Sequence, residues 1–317
     1  MLKKRPHFVV MGGGTGTFTV LSALKAYDVQ LSAIVSMADD GGSTGILRDQ
    51  YGVLPPGDVR RALVALSEAS VELRELFNYR FSSGDFAGHS FGNLFLSTLE
   101  KIQGNFGSAV EEASRILNVK GNVIPVTLGN VRLYARLQDG TTLSGETNID
   151  IPKRGRSRAP IDTVWLRPKA KINPHAEKAI MDADVVVIGP GDIYTSIIPN
   201  LLVSGVPKAL QQSKARKVYV CNLMTKFGET QNFTAMNFLD AIERYLGKDI
   251  LDIAIFNKKI PIPAVRKQYQ KERSELVDIS GLTLVDKKQK HIVADLLDPG
   301  PLVRHDPKKL AKVLLNL

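Results

Sequence analysis

The stretch Phe8-Val9-Val10-Met11-Gly12-Gly13-Gly14-Thr15-Gly16 decides the fold of this 317-residue chain. A short apolar run that passes directly into glycines is typical of a strand whose following loop leads into a helix. Glycine has no side chain, so the backbone N–H groups of such a loop can approach a phosphate closely. The stretch therefore predicts the first strand of an α/β protein and a phosphate-binding loop. The predicted binding residues are Gly12, Gly13, Gly14, Thr15 and Gly16.

A second glycine loop, Ala38-Asp39-Asp40-Gly41-Gly42-Ser43-Thr44-Gly45, follows the next apolar run. Loops after neighbouring parallel strands emerge at the same edge of the sheet, where ligands bind. Two carboxylates beside phosphate-binding amides favour a hard cation such as Mg²⁺, with Asp39 and Asp40 as its ligands. The alternative is a simple Asp-Gly turn. The predicted site residues of this loop are Asp39, Asp40, Gly41 and Ser43.

Neither loop matches the two commonest nucleotide motifs. In a Gly-x-Gly-x-x-Gly dinucleotide loop counted from Gly12, the third glycine would fall on Thr17. A P-loop ends in Gly-Lys-Ser/Thr, a sequence that both loops lack. Ordinary NAD or ATP binding is therefore not the preferred interpretation.

A third loop, Gly189-Pro190-Gly191-Asp192-Ile193-Tyr194-Thr195-Ser196, follows the wholly apolar run Val185-Val186-Val187-Ile188. Three polar glycine loops after strands favour one shared site over structural coincidence. Asn200, one turn further on, either reaches the same edge or lies on a helix surface. The residues predicted to bind ligand here are Gly189, Gly191, Asp192, Thr195 and Asn200.

Two further segments carry polar side chains near predicted element ends. Gly88-His89-Ser90-Phe91-Gly92-Asn93 is predicted to be a loop and helix start. Adjacent side chains do not face each other and no Gly-x-Ser-x-Gly elbow is present, so a catalytic His-Ser pair is disfavoured. Ligand contact or capping is the preferred role, with His89 and Asn93 as ligand contacts. After a later strand, Asn222 and Lys226 are predicted to reach the same edge of the sheet.

The remaining pattern predicts one α/β domain over residues 1–317 with a mostly parallel sheet. A weakly apolar region over residues 131–166, with Asp139-Gly140 as a hairpin turn, predicts a small antiparallel excursion within it. Asp58 is predicted to cap a helix whose opposite face carries Arg60 and Arg61. Phe233 is predicted to lie within a later helix.

Composition narrows the class of protein. The formal net charge of +10 favours an anionic partner without choosing among nucleotide, nucleic acid and acidic membrane. The densest basic stretch, residues 153–158, lacks aromatic residues, so a solvated loop is preferred there over a nucleic-acid surface. Cys221 lies in an apolar run, and a single cysteine suits the reducing cytoplasm. No run is long enough to span a membrane, and the sequence leaves a homo-oligomer open.

Taken together, these motifs resemble the CofD-like family, and within it the YvcK branch of bacterial gluconeogenesis factors. The resemblance covers nearly the whole chain. It rests on the three glycine loops already quoted and on four shorter stretches. Those are Leu54-Pro55-Pro56-Gly57-Asp58, Gly88-His89-Ser90-Phe91-Gly92-Asn93, Asn222-Leu223-Met224-Thr225-Lys226 and Arg304-His305-Asp306.

The resemblance implies a Rossmann-like, doubly wound core that binds a nucleotide diphosphate. Its YvcK branch implies a cytoplasmic protein that binds UDP-sugars such as UDP-N-acetylglucosamine and is needed for gluconeogenic growth, cell shape and cell-wall synthesis. That branch has no established reaction, so a binding protein is favoured over an enzyme. By the same resemblance, Tyr269, Arg304 and Asn200 match UDP-sugar-binding positions.

Two alternatives remain open. The other branch implies a Mg²⁺-dependent transferase that moves phospholactate from a nucleotide diphosphate donor, with aspartates holding the metal. Such a metal would neutralise developing phosphate charge. A nucleic-acid-binding protein driven by the net charge is the less favoured second alternative.

Overall fold

The computed structural model describes residues 5–152, 158–282 and 289–317, and a parallel seven-stranded sheet forms its centre. The strands are β1 (His7–Gly12), β2 (Gln30–Val35), β3 (Asn122–Pro125), β7 (Val185–Ile188), β8 (Arg216–Val220), β9 (Ile253–Asn257) and β10 (Lys290–Ala294). Their order across the sheet is β10-β9-β8-β7-β1-β2-β3, and each neighbouring pair is parallel. The predicted α/β class is confirmed.

Helices cover both faces of this sheet. All four residues of β7 are buried, as expected for a strand without a solvent-facing side. Among the described residues, no helix combines the length and apolarity needed to cross a membrane. The helices are α1 (Gly14–Leu24), α2 (Gly42–Tyr51), α3 (Gly57–Leu66), α4 (Val71–Asn78), α5 (Phe91–Gln103), α6 (Phe106–Ile116), α7 (Glu146–Asp150), α8 (Pro174–Asp182), a π-helix (Ile193–Ile197), α9 (Ile198–Leu201), α10 (Val206–Gln212), α11 (Ala235–Leu246), α12 (Pro263–Lys271) and α13 (Pro307–Leu315).

The predicted antiparallel excursion is a separate three-stranded sheet. Its strands β4 (Arg132–Leu137), β5 (Thr142–Ser144) and β6 (Ile161–Arg167) are arranged in the order β5-β4-β6. Asp139-Gly140 forms the turn of the β4–β5 hairpin, as expected. The excursion also contains α7, which the sequence pattern did not predict. Of the basic stretch, residues 153–157 lie outside the described residues.

The predicted cap at Asp58 is wrong. Pro56 occupies the N-cap position of α3, and Asp58 lies in the first turn without a side-chain capping hydrogen bond. Its Oδ1 accepts a hydrogen bond from the backbone N–H of Gly14, 3.0 Å away, on the first glycine loop. The carboxylate of Asp58 therefore joins α3 to the first glycine loop and does not cap its own helix.

Two other residues lie in surroundings that the sequence pattern did not predict. Arg60, expected on the face of α3 opposite the apolar one, is buried because α4 packs over α3 and its end accepts the guanidinium. Nη1 of Arg60 donates to Oδ1 of Asn78 at 2.7 Å. Phe233 precedes its helix: Thr234 is the N-cap of α11 and forms a capping box with Asn237.

Arg48 fastens the second glycine loop to the three-stranded sheet. Its buried guanidinium donates to the carbonyl oxygen of Asp39 at 2.8 Å, to Oδ1 of Asn130 at 2.7 Å and to the carbonyl oxygen of Val131 at 2.6 Å. These acceptors lie on segments far apart in sequence. The contacts therefore hold the Asp39 loop against the excursion.

Replacing Arg48 with alanine is expected to lower the free energy of unfolding by about 2 kcal/mol, because buried acceptors lose a charged donor. Urea denaturation followed by circular dichroism would measure the change. Arg115→Ala is the control, since that side chain is 76% exposed and its loss should cost less than about 0.5 kcal/mol. Equal effects of the two substitutions would contradict the role assigned to Arg48.

Candidate functional site

The candidate site lies where the order of the sheet reverses. From β1 the chain proceeds outward to β2 and β3, whereas from β7 it proceeds the opposite way to β8, β9 and β10. A crevice forms at such a reversal because the loops after the two central strands diverge. Here the loop after β1 and the loop after β7 are in backbone contact: a Cβ on Gly16 would overlap the carbonyl oxygen of Pro190.

Two cavities open on these loops. The first, called the basic cavity here, has a volume of about 310 Å³ and brings residues of the C-terminal third against the first glycine loop. The second, called the acidic cavity, measures about 410 Å³ and contains most of the site's carboxylates. Thr15 and Asp192 line both, so the two cavities are adjacent compartments of one site.

The basic cavity gathers residues that the sequence predicted separately. Arg304 and Tyr269 lie in its wall with Lys226 and Asn222, next to Gly16. The hydroxyl of Tyr269 accepts a hydrogen bond from the backbone N–H of Val303 at 3.0 Å. Oδ1 of Asn222 accepts from the N–H of Gly191 at 3.2 Å. The tyrosine is thus fixed beside the arginine, and the asparagine holds the third loop in place.

Lys226 is surrounded by carboxylates. Its Nζ pairs with Asp150 and lies 2.7 Å from Oδ2 of Asp192. Burial opposes a charged lysine, but Asp192, Glu229 and Asp150 together raise the pKa of Lys226. The ammonium therefore stays charged and neutralises part of this cluster.

Glu229 is the buried member of this cluster. Its Oε1 accepts a hydrogen bond from Oγ1 of Thr195 at 2.8 Å. Burial, followed by the charge of Asp192, raises its pKa to about 8. Carboxylate oxygens of Asp150, Asp192 and Glu229 lie within 4.8 Å of one another, a spacing that could hold a metal ion. The Lys226 ammonium already lies against two of these carboxylates.

Three acidic side chains of the acidic cavity have raised pKa values. Burial, and then the charge of Asp39, raises the pKa of Glu146 to about 9 and that of Asp58 to about 6. Burial also raises the pKa of Asp39. Arg60, Arg61 and Arg80 line the same cavity, so it presents guanidinium groups beside these carboxyls.

The two aspartates predicted to hold Mg²⁺ lie in different surroundings. Asp39 lines the acidic cavity, and its Oδ1 accepts from the N–H of Gly41 at 2.9 Å. Oδ1 of Asp40 accepts instead from the N–H of Thr147, at the start of α7. Magnesium binding by this pair stays a prediction.

The segment around His89 forms a buried polar cluster behind the acidic cavity. Nδ1 of His89 lies 2.9 Å from Oγ of Ser43, and Nδ2 of Asn93 donates to the same oxygen at 3.2 Å. Ser90 is the N-cap of α5, so for this residue the structure shows the capping alternative. Ser43 and Asn93 line the acidic cavity, whereas His89 supports them from behind.

Asn200 is fully buried, so its interpretation as a helix-surface residue is wrong. Its Nδ2 donates to the carbonyl oxygen of Ser196 at 2.9 Å, beneath the third loop. It lines neither the basic nor the acidic cavity. A ligand contact for Asn200 stays a prediction.

Four acidic residues of the site were missed as site residues from the sequence. Glu146 and Asp150 lie on the short helix α7, and Glu229 lies in a turn after Lys226; none has a local pattern that marks it. Asp58 had a signal, because its Pro-Pro-Gly-Asp segment is one of the stretches that carry the family resemblance. Its position after the two prolines predicts a helix cap instead.

The raised pKa of Glu146 predicts a pH-dependent stability. The pKa is about 9 in the folded protein and about 4.3 in an unfolded chain. The folded state therefore keeps a proton that the unfolded chain releases. Hence the group's contribution is fully present below about pH 4 and is lost as the pH rises towards about 9.

Replacing Glu146 with glutamine, which is always neutral, should remove this dependence. The variant is expected to be more stable than the parent by about 1–3 kcal/mol near pH 8 and nearly equal near pH 4.5. Urea denaturation at both pH values would measure the difference. Glu111→Gln, at an exposed position on α6, is the matched control. A variant less stable than the parent near pH 8 would contradict the assignment.

Comparison with known proteins bears on this site. Residues 8–297 match the family described as 2-phospho-L-lactate transferase CofD. The chain belongs to the CofD family. A Nostoc protein named putative gluconeogenesis factor is 45% identical to this chain, over 99% of this chain and 69% of its own length. The Bacillus subtilis gluconeogenesis factor is 38% identical over 99% of this chain and 98% of its own.

A solved structure supports the same placement. The crystal structure of a UPF0052 family member from Bacillus halodurans superimposes with a TM-score of 0.93 at 41% identity, covering 99% of both chains. The sequence-based expectation of a CofD-like protein related to gluconeogenesis factors is therefore confirmed, as is the fold.

Proposed function

We propose that this CofD-family protein binds a nucleotide-diphosphate sugar, with UDP-N-acetylglucosamine as the reference ligand. The observation that carries the proposal is the meeting of Tyr269 and Arg304 with Gly16 in one cavity wall. An arginine fork donates two parallel hydrogen bonds to a diphosphate, and backbone amides of a glycine loop add more. An aromatic ring beside them suits a nucleobase.

The acidic cavity is the proposed compartment for the sugar. It adjoins the basic cavity at Thr15 and Asp192, and its walls present carboxyl, hydroxyl and guanidinium groups. Sugar hydroxyls both donate and accept hydrogen bonds, so they suit protonated and ionised carboxyls alike. The diphosphate would lie at the junction, with the base on one side and the sugar on the other.

We further propose a regulatory role in the cytoplasm, in gluconeogenic growth and in cell shape and cell-wall synthesis. The relatives named gluconeogenesis factors support the part of this role that concerns gluconeogenic growth. A protein that senses a cell-wall precursor connects carbon supply with wall synthesis without catalysing a reaction itself. Binding, rather than turnover, is the property to measure first.

Isothermal titration calorimetry with UDP-N-acetylglucosamine, with and without Mg²⁺, tests the proposal. Saturable binding that UMP fails to reproduce is expected, because UMP lacks the diphosphate bridge and the sugar. No detectable heat at about 1 mM ligand, corresponding to about −4 kcal/mol of binding free energy at most, would overturn it.

A transferase of the phospholactate type is the second candidate, favoured by the family match and by the raised pKa values in the acidic cavity. A carboxylate near neutral pKa can accept a proton from an attacking hydroxyl. Incubation with a nucleotide diphosphate donor and a hydroxyl acceptor, followed by ³¹P NMR, would reveal nucleotide release. If transfer occurs, the Asp58→Asn variant should release less nucleotide than the parent protein.

A further inference from the structure

The outer face of the three-stranded sheet presents arginines alternating with aromatic rings. Strand alternation turns the apolar residues of β4 and β6 inward, where they join the core. On the opposite face, Arg132 pairs in register with Arg167, and Tyr134 with Trp165. The outer face is defined here by Arg132, Tyr134, Arg136, Trp165 and Arg167.

The two aromatic rings on this face stack on each other, and this pair is called the platform here. Those of Tyr134 and Trp165 are stacked, with centroids 5.8 Å apart and planes 17° from parallel. The guanidinium of Arg167 lies 5.7 Å from the first ring centroid and 6.0 Å from the second. Arg167 is exposed, so its charge is presented to solvent beside the platform rather than buried in it.

Positive charge predominates around the platform. Arg132 pairs with Asp49 on α2, and Arg136 and Arg244 both pair with Asp162. Together with Arg167, four arginines therefore face two aspartates. These pairs are largely exposed, and exposed ion pairs contribute little to stability. The surface thus keeps a net positive charge, in keeping with the charge of +10 on the whole chain.

We propose that the outer face binds single-stranded nucleic acid. Bases stack on Tyr134 and Trp165, and phosphates are bound by Arg132, Arg136 and Arg167. Stacking platforms flanked by basic side chains bind single strands with little sequence preference. An acidic protein segment would use the arginines but leave the rings unused. The surface does not involve the residues of the proposed nucleotide-sugar site.

This arrangement is hidden in the linear sequence. The basic stretch at residues 153–158 has no aromatic residues, whereas the outer face combines residues about 30 positions apart that β4–β6 pairing makes neighbours. The described end of that stretch also has another role: Nε of Arg158 donates to the carbonyl oxygen of Gly228 at 2.8 Å. The alternation of arginines and aromatic rings therefore arises only in the folded sheet.

The single tryptophan of the chain makes the test direct. Because it is Trp165, tryptophan fluorescence excited at wavelengths that tyrosine does not absorb reports on this surface. The full chain is titrated with a 12-nucleotide oligouridylate and with oligothymidylate. We expect saturable quenching whose affinity falls with salt, with a log–log slope of about −2 for three phosphate contacts on a single strand.

Variants separate this surface from general electrostatics. Arg167→Gln should weaken binding about tenfold and reduce the slope by about 0.7, whereas Arg115→Gln, a matched exposed arginine on α6, should change neither. Tyr134→Leu keeps the reporter and should weaken quenching. Saturating UDP-N-acetylglucosamine should leave the oligonucleotide bound. Absent quenching, equal quenching by polyglutamate, equal effects of both arginine variants, or displacement by UDP-N-acetylglucosamine would each overturn the proposal.

Discussion

Replacing Gly16 with alanine is expected to lower the affinity for UDP-N-acetylglucosamine by at least about 100-fold. A reduction of this size corresponds to the loss of one or two hydrogen bonds to a charged group. The added Cβ would overlap the carbonyl oxygen of Pro190 and lie 2.6 Å from its carbonyl carbon. Both are backbone atoms, so relief requires the two glycine loops to separate. Their separation moves the amides that are proposed to bind the diphosphate.

Gly107→Ala provides a matched control for this substitution. Gly107 also lies in the first turn of a helix, but a Cβ there would meet its nearest neighbours at 3.4 Å or more, an ordinary contact. That variant should bind normally and be as stable as the parent or slightly more so, since alanine favours a helix. Calorimetry and thermal denaturation of both variants decide the matter. Unchanged binding by Gly16→Ala would remove the two-loop junction from the proposed site.

Replacing Arg304 with alanine is expected to lower the affinity for UDP-N-acetylglucosamine by about 30- to 100-fold. Loss of a charged hydrogen-bond donor to a diphosphate accounts for about 2–3 kcal/mol. Arg304 lines the basic cavity, and its own carbonyl oxygen accepts the backbone N–H of Asp298. The substitution leaves that backbone contact intact. The fold should therefore survive, and the loss should appear in binding alone.

Arg304→Lys refines this prediction, because lysine keeps the charge but lacks the planar fork. Its affinity should fall between those of the parent and the alanine variant. Thermal denaturation without ligand should show all three proteins to be equally stable. If both variants bind UDP-N-acetylglucosamine as tightly as the parent, the diphosphate does not lie in the basic cavity.

The sequence predicted the strands of the site well because their signals are local. The apolar run from Val185 to Ile188 is buried on both sides, as its composition requires, and each glycine loop follows a strand of the central sheet. The hairpin at Asp139-Gly140 was equally local. In each case a few adjacent residues are enough to specify the element, so it can be predicted without knowledge of the rest of the fold.

The electrostatics of the site could not be predicted in this way. Asp40 binds Thr147, which is 107 residues away, and Lys226 pairs with Asp150, 76 residues away. These contacts depend on how the excursion packs against the central sheet. The raised pKa values of Glu146 and Glu229 arise from that packing and from burial, not from neighbouring residues in the chain. Asp58 shows the same limit, since its partner Gly14 belongs to another element.

The central position of β1 has a consequence for how the chain folds during synthesis. β1 pairs with β2 soon after it is made, but its other neighbour is β7, and the backbone of His7 binds Asp184 across 177 residues. Until that later strand emerges, one edge of the most apolar part of the sheet is unpaired. Such an edge invites association with other chains. A truncation before β7 should therefore yield an aggregating product rather than a smaller folded domain, and chaperones that shield strand edges would matter most during that interval.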